Sequence, residues 1–268
     1  MTKEQERARA RRRYQKVQRR NAQRALERAR RMRVVAVVGT VLVVVGGLAF
    51  LGFRFGAGGG SATPSASTAA TTAAGCQPPP SSLGTGAELE LPDRKTAEGK
   101  TFVATLSTNC GDIEMTLDGA KAPQAVAAFL ELARQNYWQS SPCHRLTASE
   151  ALKVLQCGDP TGTGSGDPGF GYGVENAPKD GLYPRGTVAM ARTQDTEKGT
   201  GGQFFLVYGD STLPDPVGYT VVGTVTSGLD IVDRIAAAGI APGGSSPTDG
   251  APAAPISILT VAVTEKKA

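Results

Sequence analysis

Apolar residues follow three different rules along this chain. From Val34 to Phe53 (VVAVVGTVLVVVGGLAFLGF) they run without a single charge. Beyond residue 100 they alternate with polar residues. Thr101–Thr108 (TFVATLST) and Asp112–Leu117 (DIEMTL) flank Asn109-Cys110-Gly111, which predicts a β-hairpin. Pro123–Tyr137 switches to a helical period, with Pro in the first turn and Val126, Phe129, Leu130 and Ala133 on one face. Short strands are predicted at Cys143–Leu146, Val154–Cys157, Thr187–Ala191, Gln203–Val207 and Thr220–Val225. A second helix spans Leu229–Ala238 and stops at Gly239, and Ile256–Val263 is a last strand. The Gly/Pro-rich stretch Ala241–Pro255 reads as a surface connection. Eight strands and two helices predict a mostly β fold: an eight-stranded antiparallel barrel with helices covering its ends.

The uncharged run of twenty residues is long enough, at about 1.5 Å per residue, to cross a hydrocarbon core of about 30 Å. It is longer than a signal-peptide core and has no small-x-small cleavage site close behind it, so it reads as an uncleaved transmembrane helix. Charge then sets its direction. Residues 1–33 hold fourteen Lys/Arg and three Glu, a net +11, and the whole chain is +5, which leaves −6 for residues 34–268. The positive side stays in the cytoplasm. The expected order is a basic cytoplasmic tail (1–33), a transmembrane helix (34–53), a flexible Gly/Ala/Ser/Thr/Pro linker (54–95) and one domain outside the cytoplasm (96–268). The expected location is the cell membrane, crossed once. Tyr14 is the only aromatic in the tail, so a membrane-facing role is expected for it and no nucleic-acid partner. Ala73-Ala74-Gly75-Cys76 has the look of a lipidation box but lies too far from the apolar run.

Four cysteines outside the cytoplasm allow two disulfides in three connectivities. Strand parity weighs against joining Cys143 to Cys157: if Arg145 and Gln156 share a face, Cys143 lies on it and Cys157 on the other. His144 is the only histidine, which removes zinc-site spacings and, with Cys143 on the opposite strand face, a Cys-His dyad. Gly164–Gly169 matches GxGxxG, yet Phe170-Gly171-Tyr172-Gly173 cannot open the helix a dinucleotide site requires.

The remaining unusual residues form an ordered set: Cys143-His144-Arg145-Leu146; Val154-Leu155-Gln156-Cys157-Gly158-Asp159-Pro160-Thr161-Gly162-Thr163-Gly164; Gly186-Thr187-Val188-Ala189-Met190-Ala191-Arg192; Gly201-Gly202-Gln203-Phe204-Phe205-Leu206; and Tyr219–Val225. In this order and spacing the set resembles the cyclophilin-type peptidyl-prolyl cis-trans isomerases, especially bacterial membrane-anchored forms, from about Phe102 to Val263. The resemblance implies a cyclophilin-like barrel and an isomerase of X-Pro bonds that assists folding of exported or envelope proteins. It implies Arg145, Gln156 and Phe205 as catalytic residues, with Val154, Ala191, Arg192, Gln203, Leu213 and Tyr219 binding the proline-containing peptide. It implies no cofactor and no metal. Several positions depart from the family pattern. Lys153, or Leu152 beside it, stands where an aromatic is usual. Arg192 replaces a common Asn, Thr212 a large residue and Tyr219 a common His. These departures keep an alternative in view: a cyclophilin-like module that binds proline-containing peptides with little turnover.

Overall fold

In β1 (Thr101–Thr108) and β2 (Gly111–Asp118) the alternation seen in the sequence becomes burial. Phe102, Ala104 and Leu106 face inward opposite Leu117, Met115 and Ile113. The computed structural model describes residues 73, 75–243 and 246–267. The basic tail, the apolar run 34–53 and the linker as far as residue 72 lie outside the described residues. Among the described residues no helix is long and apolar enough to cross a membrane.

Ten further strands follow β2: β3 (Ser141–Pro142), β4 (Arg145–Ala148), β5 (Lys153–Cys157), β6 (Leu182–Tyr183), β7 (Thr187–Arg192), β8 (Thr200–Gly209), β9 (Ser211–Thr212), β10 (Val221–Ser227), β11 (Asp249–Gly250) and β12 (Ser257–Glu265). Eight of the twelve have four residues or more, and they correspond to the eight expected strands. The main sheet is antiparallel with the order β11-β4-β5-β8-β7-β10-β2-β1-β12-β3, and β6 pairs only with β9. The expected barrel is therefore a curled sheet with two ends. Its last strand, β3, leads directly into β4 near the other end, so the seam is crossed by the covalent link Cys143-His144. Cys143 N–H donates to Ile256 O at 2.9 Å there.

Helix α1 (Pro123–Arg134) buries Val126, Phe129, Leu132 and Ala133 against the sheet, whereas Leu130 is only partly covered. It ends three residues earlier than its periodicity predicts. Asn136 adopts φ 53°, and Tyr137 N–H returns to Leu132 O at 2.9 Å, which turns Tyr137 and Trp138 inward. Phe129, Trp138 and Phe204 form the aromatic centre of the core, and Trp138 Nε1–H donates to Gly202 O at 2.9 Å. Helix α2 (Leu229–Ala237) adds Ile231, Val232 and Ile235.

Cys76 is bonded to Cys110, and Cys143 to Cys157. The second pair corrects the parity argument. Alternation holds only within one strand, and Cys143 and His144 lie in the irregular link between β3 and β4. Arg145 and Gln156 do pair, as assumed. Residues 76–95, which precede the expected domain boundary, lie along the domain. Gln77 N–H donates to Asn109 O (2.7 Å) and Leu89 N–H to Pro168 O (2.7 Å).

Candidate active site

Strands β4, β5, β8 and β7 are consecutive neighbours, and one row of their register reads Arg145, Gln156, Phe205, Ala189. Because side chains alternate, these strands serve two faces. Leu146, Leu155, Leu206 and Val188 go to the main core, and Val154, Phe205, Val207 and Ala189 form a second cluster with Tyr183. On that second face lies a cavity of about 140 Å³, lined by Arg145, Leu152, Val154, Gln156, Ala191, Arg192, Phe205, Leu213 and Tyr219. The fold thus brings together eight of the nine expected site residues. The ninth, Gln203, lines an adjoining cavity of about 160 Å³ that shares Gln156, Ala191 and Arg192 with the first.

Phe205 is 5% exposed and is held between two tyrosine rings, Tyr183 at 6.2 Å and Tyr219 at 5.7 Å between centroids. Tyr183 Oη accepts from Tyr219 N–H (2.8 Å) and donates to Tyr219 O (3.3 Å), locking Tyr219 beside the pocket. Tyr183 was missed in the sequence, since it sits in a two-residue strand among loop residues. Of the two candidates for the aromatic position, Leu152 lines the pocket and Lys153 does not. Thr212 is also absent from the lining.

The polar side of the pocket is a chain of hydrogen bonds. Arg145 donates Nε–H and Nη2–H to the two carboxylate oxygens of Asp249, each at 2.8 Å, and Nη1–H to Gln156 Oε1 at 3.1 Å. Gln156 Nε2 donates to Gln203 Oε1 (2.9 Å), and Gln203 Nε2 to Gly164 O (3.0 Å) and Gly166 O (3.3 Å). A guanidinium has five N–H bonds, so two remain free on Arg145. Asp249 raises the Arg145 pKa by this bonding, and Arg145 holds the Asp249 carboxyl below the usual aspartate value. Asp249 had no periodic or motif signal in its Gly/Pro-rich segment.

Arg192 is placed differently from a groove residue with a free charge. Its side chain is 5% exposed, and it donates to Gly218 O (2.9 Å), Thr193 O (2.8 Å) and Asp215 Oδ1 (2.5 Å), with its guanidinium 5.0 Å from the Tyr219 ring centre. It is a wall of the pocket. Asp159 organises the Gly-rich loop: it is buried and accepts from Thr161 N–H, Thr161 Oγ–H and Gly164 N–H. Burial works to raise its pKa, but these bonds prevail and lower it. Gly166 must lack a side chain, since a Cβ there would lie 2.0 Å from Asp159 Oδ1. His144 has its Nδ1 buried with no hydrogen-bond partner, and burial lowers its pKa.

A sheet with an arginine, a glutamine and a phenylalanine in one row beside an apolar pocket defines a class. The family described as cyclophilin type peptidyl-prolyl cis-trans isomerase/CLD matches residues 103–263, and the chain belongs to it. Among similar proteins, "Probable peptidyl-prolyl cis-trans isomerase B" of Mycobacterium tuberculosis (strain ATCC 25618 / H37Rv) is 41% identical over 204 residues, covering 70% of this chain and 63% of that protein. The protein of the same name in Mycobacterium leprae is 40% identical over 209 residues, covering 73% of this chain and 68% of its own length. This chain therefore spans a little under two thirds of the M. tuberculosis relative. A crystal structure of a Cryptosporidium parvum cyclophilin type isomerase in the presence of the dipeptide Ala-Pro is similar with a TM-score of 0.50 and 26% identity, over 61% of this chain and 99% of that one.

Proposed function

We propose that the protein is a peptidyl-prolyl cis-trans isomerase whose substrates are proline-containing segments of exported or envelope proteins, and that residues 34–53 anchor it in the cell membrane with its N-terminus in the cytoplasm. One observation carries the enzymatic reading: Arg145 keeps two N–H donors at the edge of an apolar pocket floored by Phe205.

An X-Pro bond rotates over a barrier of roughly 18–20 kcal/mol because amide resonance is lost on the way. In the twisted state the proline nitrogen becomes pyramidal and gains a lone pair. Arg145 donates to that lone pair. The planar amide presents none, so the bond favours the transition state over both ground states. A hydrogen bond from a charged donor contributes about 1.5–3 kcal/mol, or one to two decades in rate. The apolar pocket holds the proline ring while Gln156 keeps Arg145 in place and the neighbouring cavity along Gln203 receives the chain before or after it. These side chains supply the chemistry without a covalent intermediate.

The address is supported by the uncharged run of twenty residues, the net +11 before it, and two disulfides, which persist in oxidising compartments. The test is exchange NMR on an Ala-Pro peptide with full-length protein. Accelerated cis/trans exchange is expected, and Arg145→Ala should lower it by ten- to a hundredfold. Peptide binding without acceleration would instead identify a binding module. Protease treatment of intact cells should remove the domain and spare the tail; a protected domain would overturn the orientation.

A further inference from the structure

The site has an acidic member that the row of sheet residues does not explain. We propose that Asp249 is a positioning residue for the isomerase reaction, fixing the Arg145 guanidinium so that its two unused N–H groups serve the proline pocket. This rests on the isomerase reading above.

Strand β11 (Asp249–Gly250) adds to the outer edge of β4, with Asp249 opposite Thr147 and Gly250 opposite Leu146. Thr147 and Arg145 share a face of β4, so Asp249 lies on that face too, on the diagonal from Arg145, within reach of a long side chain. The segment is held in that register from both sides. Ala148 N–H donates to Thr248 O (2.8 Å), Ala241 N–H to Ala251 O (2.8 Å) and Ala253 N–H to Gly239 O (2.9 Å). A Cβ at Gly250 would come within 2.8 Å of Ile240, so the bridge needs a residue without a side chain next to the acid.

The side-chain geometry then shows what this placement does. The two carboxylate oxygens meet Nε–H and Nη2–H in the bidentate arrangement that matches the guanidinium fork. Together with Gln156 on Nη1, three of the five donors are engaged, each guanidinium nitrogen by one bond, and the planar group can no longer rotate. A free arginine loses much rotamer freedom each time it engages a substrate; here that freedom is already removed. A merely structural ion pair is a poor account of Asp249. Both side chains are about two fifths exposed, at 40% and 43%, where solvent screening weakens what even a bidentate pair adds to stability. The pair also stands between the pocket and a third cavity, of about 520 Å³, lined by His144, Ser246 and Asp249 itself, so it is at the site and not on a remote surface.

The experiment measures exchange kinetics and the Arg145 Nε–H NMR resonance in full-length wild type, Asp249→Ala and Asp249→Asn. Loss of the pair in Asp249→Ala should lower kcat about tenfold, leave KM within about twofold, and barely change the thermal midpoint. Asp249→Asn retains one acceptor oxygen and should fall between the two. The Arg145 Nε–H signal should be protected from solvent exchange in wild type and lost in Asp249→Ala. An unchanged kcat with that signal lost would overturn the proposal, as would a protected signal in Asp249→Ala. If the wild type shows no catalysis, the isomerase reading fails and takes the proposal with it. A kcat loss matched by a large fall in the midpoint of both variants would mean that Asp249 serves the fold, and would overturn it as well.

Discussion

Arg192 offers the sharpest test of how the pocket is held. Read from the sequence, it is a peptide-binding residue; in the fold its charge is engaged by the protein. Replacing it by Ala removes three hydrogen bonds, to Asp215, Gly218 O and Thr193 O, and the contact over the Tyr219 ring. Truncating one member of a buried ion pair costs about 3–5 kcal/mol when the other is left uncompensated. Asp215 is 28% exposed and still receives Val217 N–H (2.9 Å) and Gly218 N–H (2.8 Å), so the lower end applies. Arg192→Ala should therefore lower unfolding free energy by about 3 kcal/mol, and Arg192→Lys, which cannot fork, by about 2 kcal/mol. Urea denaturation reads this directly, with the single tryptophan, Trp138, as a buried fluorescent reporter. Asp215→Asn in the same background should be non-additive, because both remove one interaction. A loss below about 0.5 kcal/mol in Arg192→Ala, with KM for the peptide raised instead, would refute the reasoning and return Arg192 to the substrate.

Two further outcomes follow from the same geometry. The disulfides close stretches of 34 and 14 residues, and chain entropy assigns them about 3.8 and 3 kcal/mol; Cys76→Ser/Cys110→Ser should thus be the more destabilising pair, and equal urea midpoints with and without reductant would contradict both figures. His144, the only histidine, is held neutral by burial, so its folded pKa lies below 6.5. The unfolded chain then takes up a proton before the folded one, and stability declines as pH falls from about 6.5 to the folded value. His144→Gln should flatten that slope, and an NMR titration of His144 at or above 6.5 would rule the account out.

Much of this architecture was legible because it is local. The β1–β2 alternation, the start of α1 at Pro123 and the stop at Gly239 depend on neighbouring residues, and each lies where the pattern puts it. The row Arg145, Gln156, Phe205 was legible through motif order. What escaped depends on contacts distant in the chain. Asp249 meets Arg145 across 104 residues by way of a two-residue strand, and Tyr183 reaches Tyr219 from a similar one. The end of α1 turns on one left-handed residue, Asn136, and the Cys143–Cys157 pairing on a break in a strand that alternation treats as continuous. Residues 76–95 look like linker by composition, yet a disulfide at Cys76 and backbone bonds from Gln77 and Leu89 tie them to the domain. The expected anchor and the basic tail lie outside the described residues.

The two-faced strands have a consequence for how the protein tolerates change. Along β4, β5, β7 and β8 successive residues answer to different demands: Leu155 to the main core, Gln156 to the pocket, and Phe204 and Phe205 likewise. A saturation survey of these strands, scored separately for protein abundance and for turnover, should therefore show two interleaved combs with a spacing of two residues. Substitutions at one set of teeth deplete the protein. At the other set, substitutions of the half-buried Gln156 and Gln203 leave it abundant and idle, whereas those of the buried Val154 and Phe205 lower abundance as well as turnover.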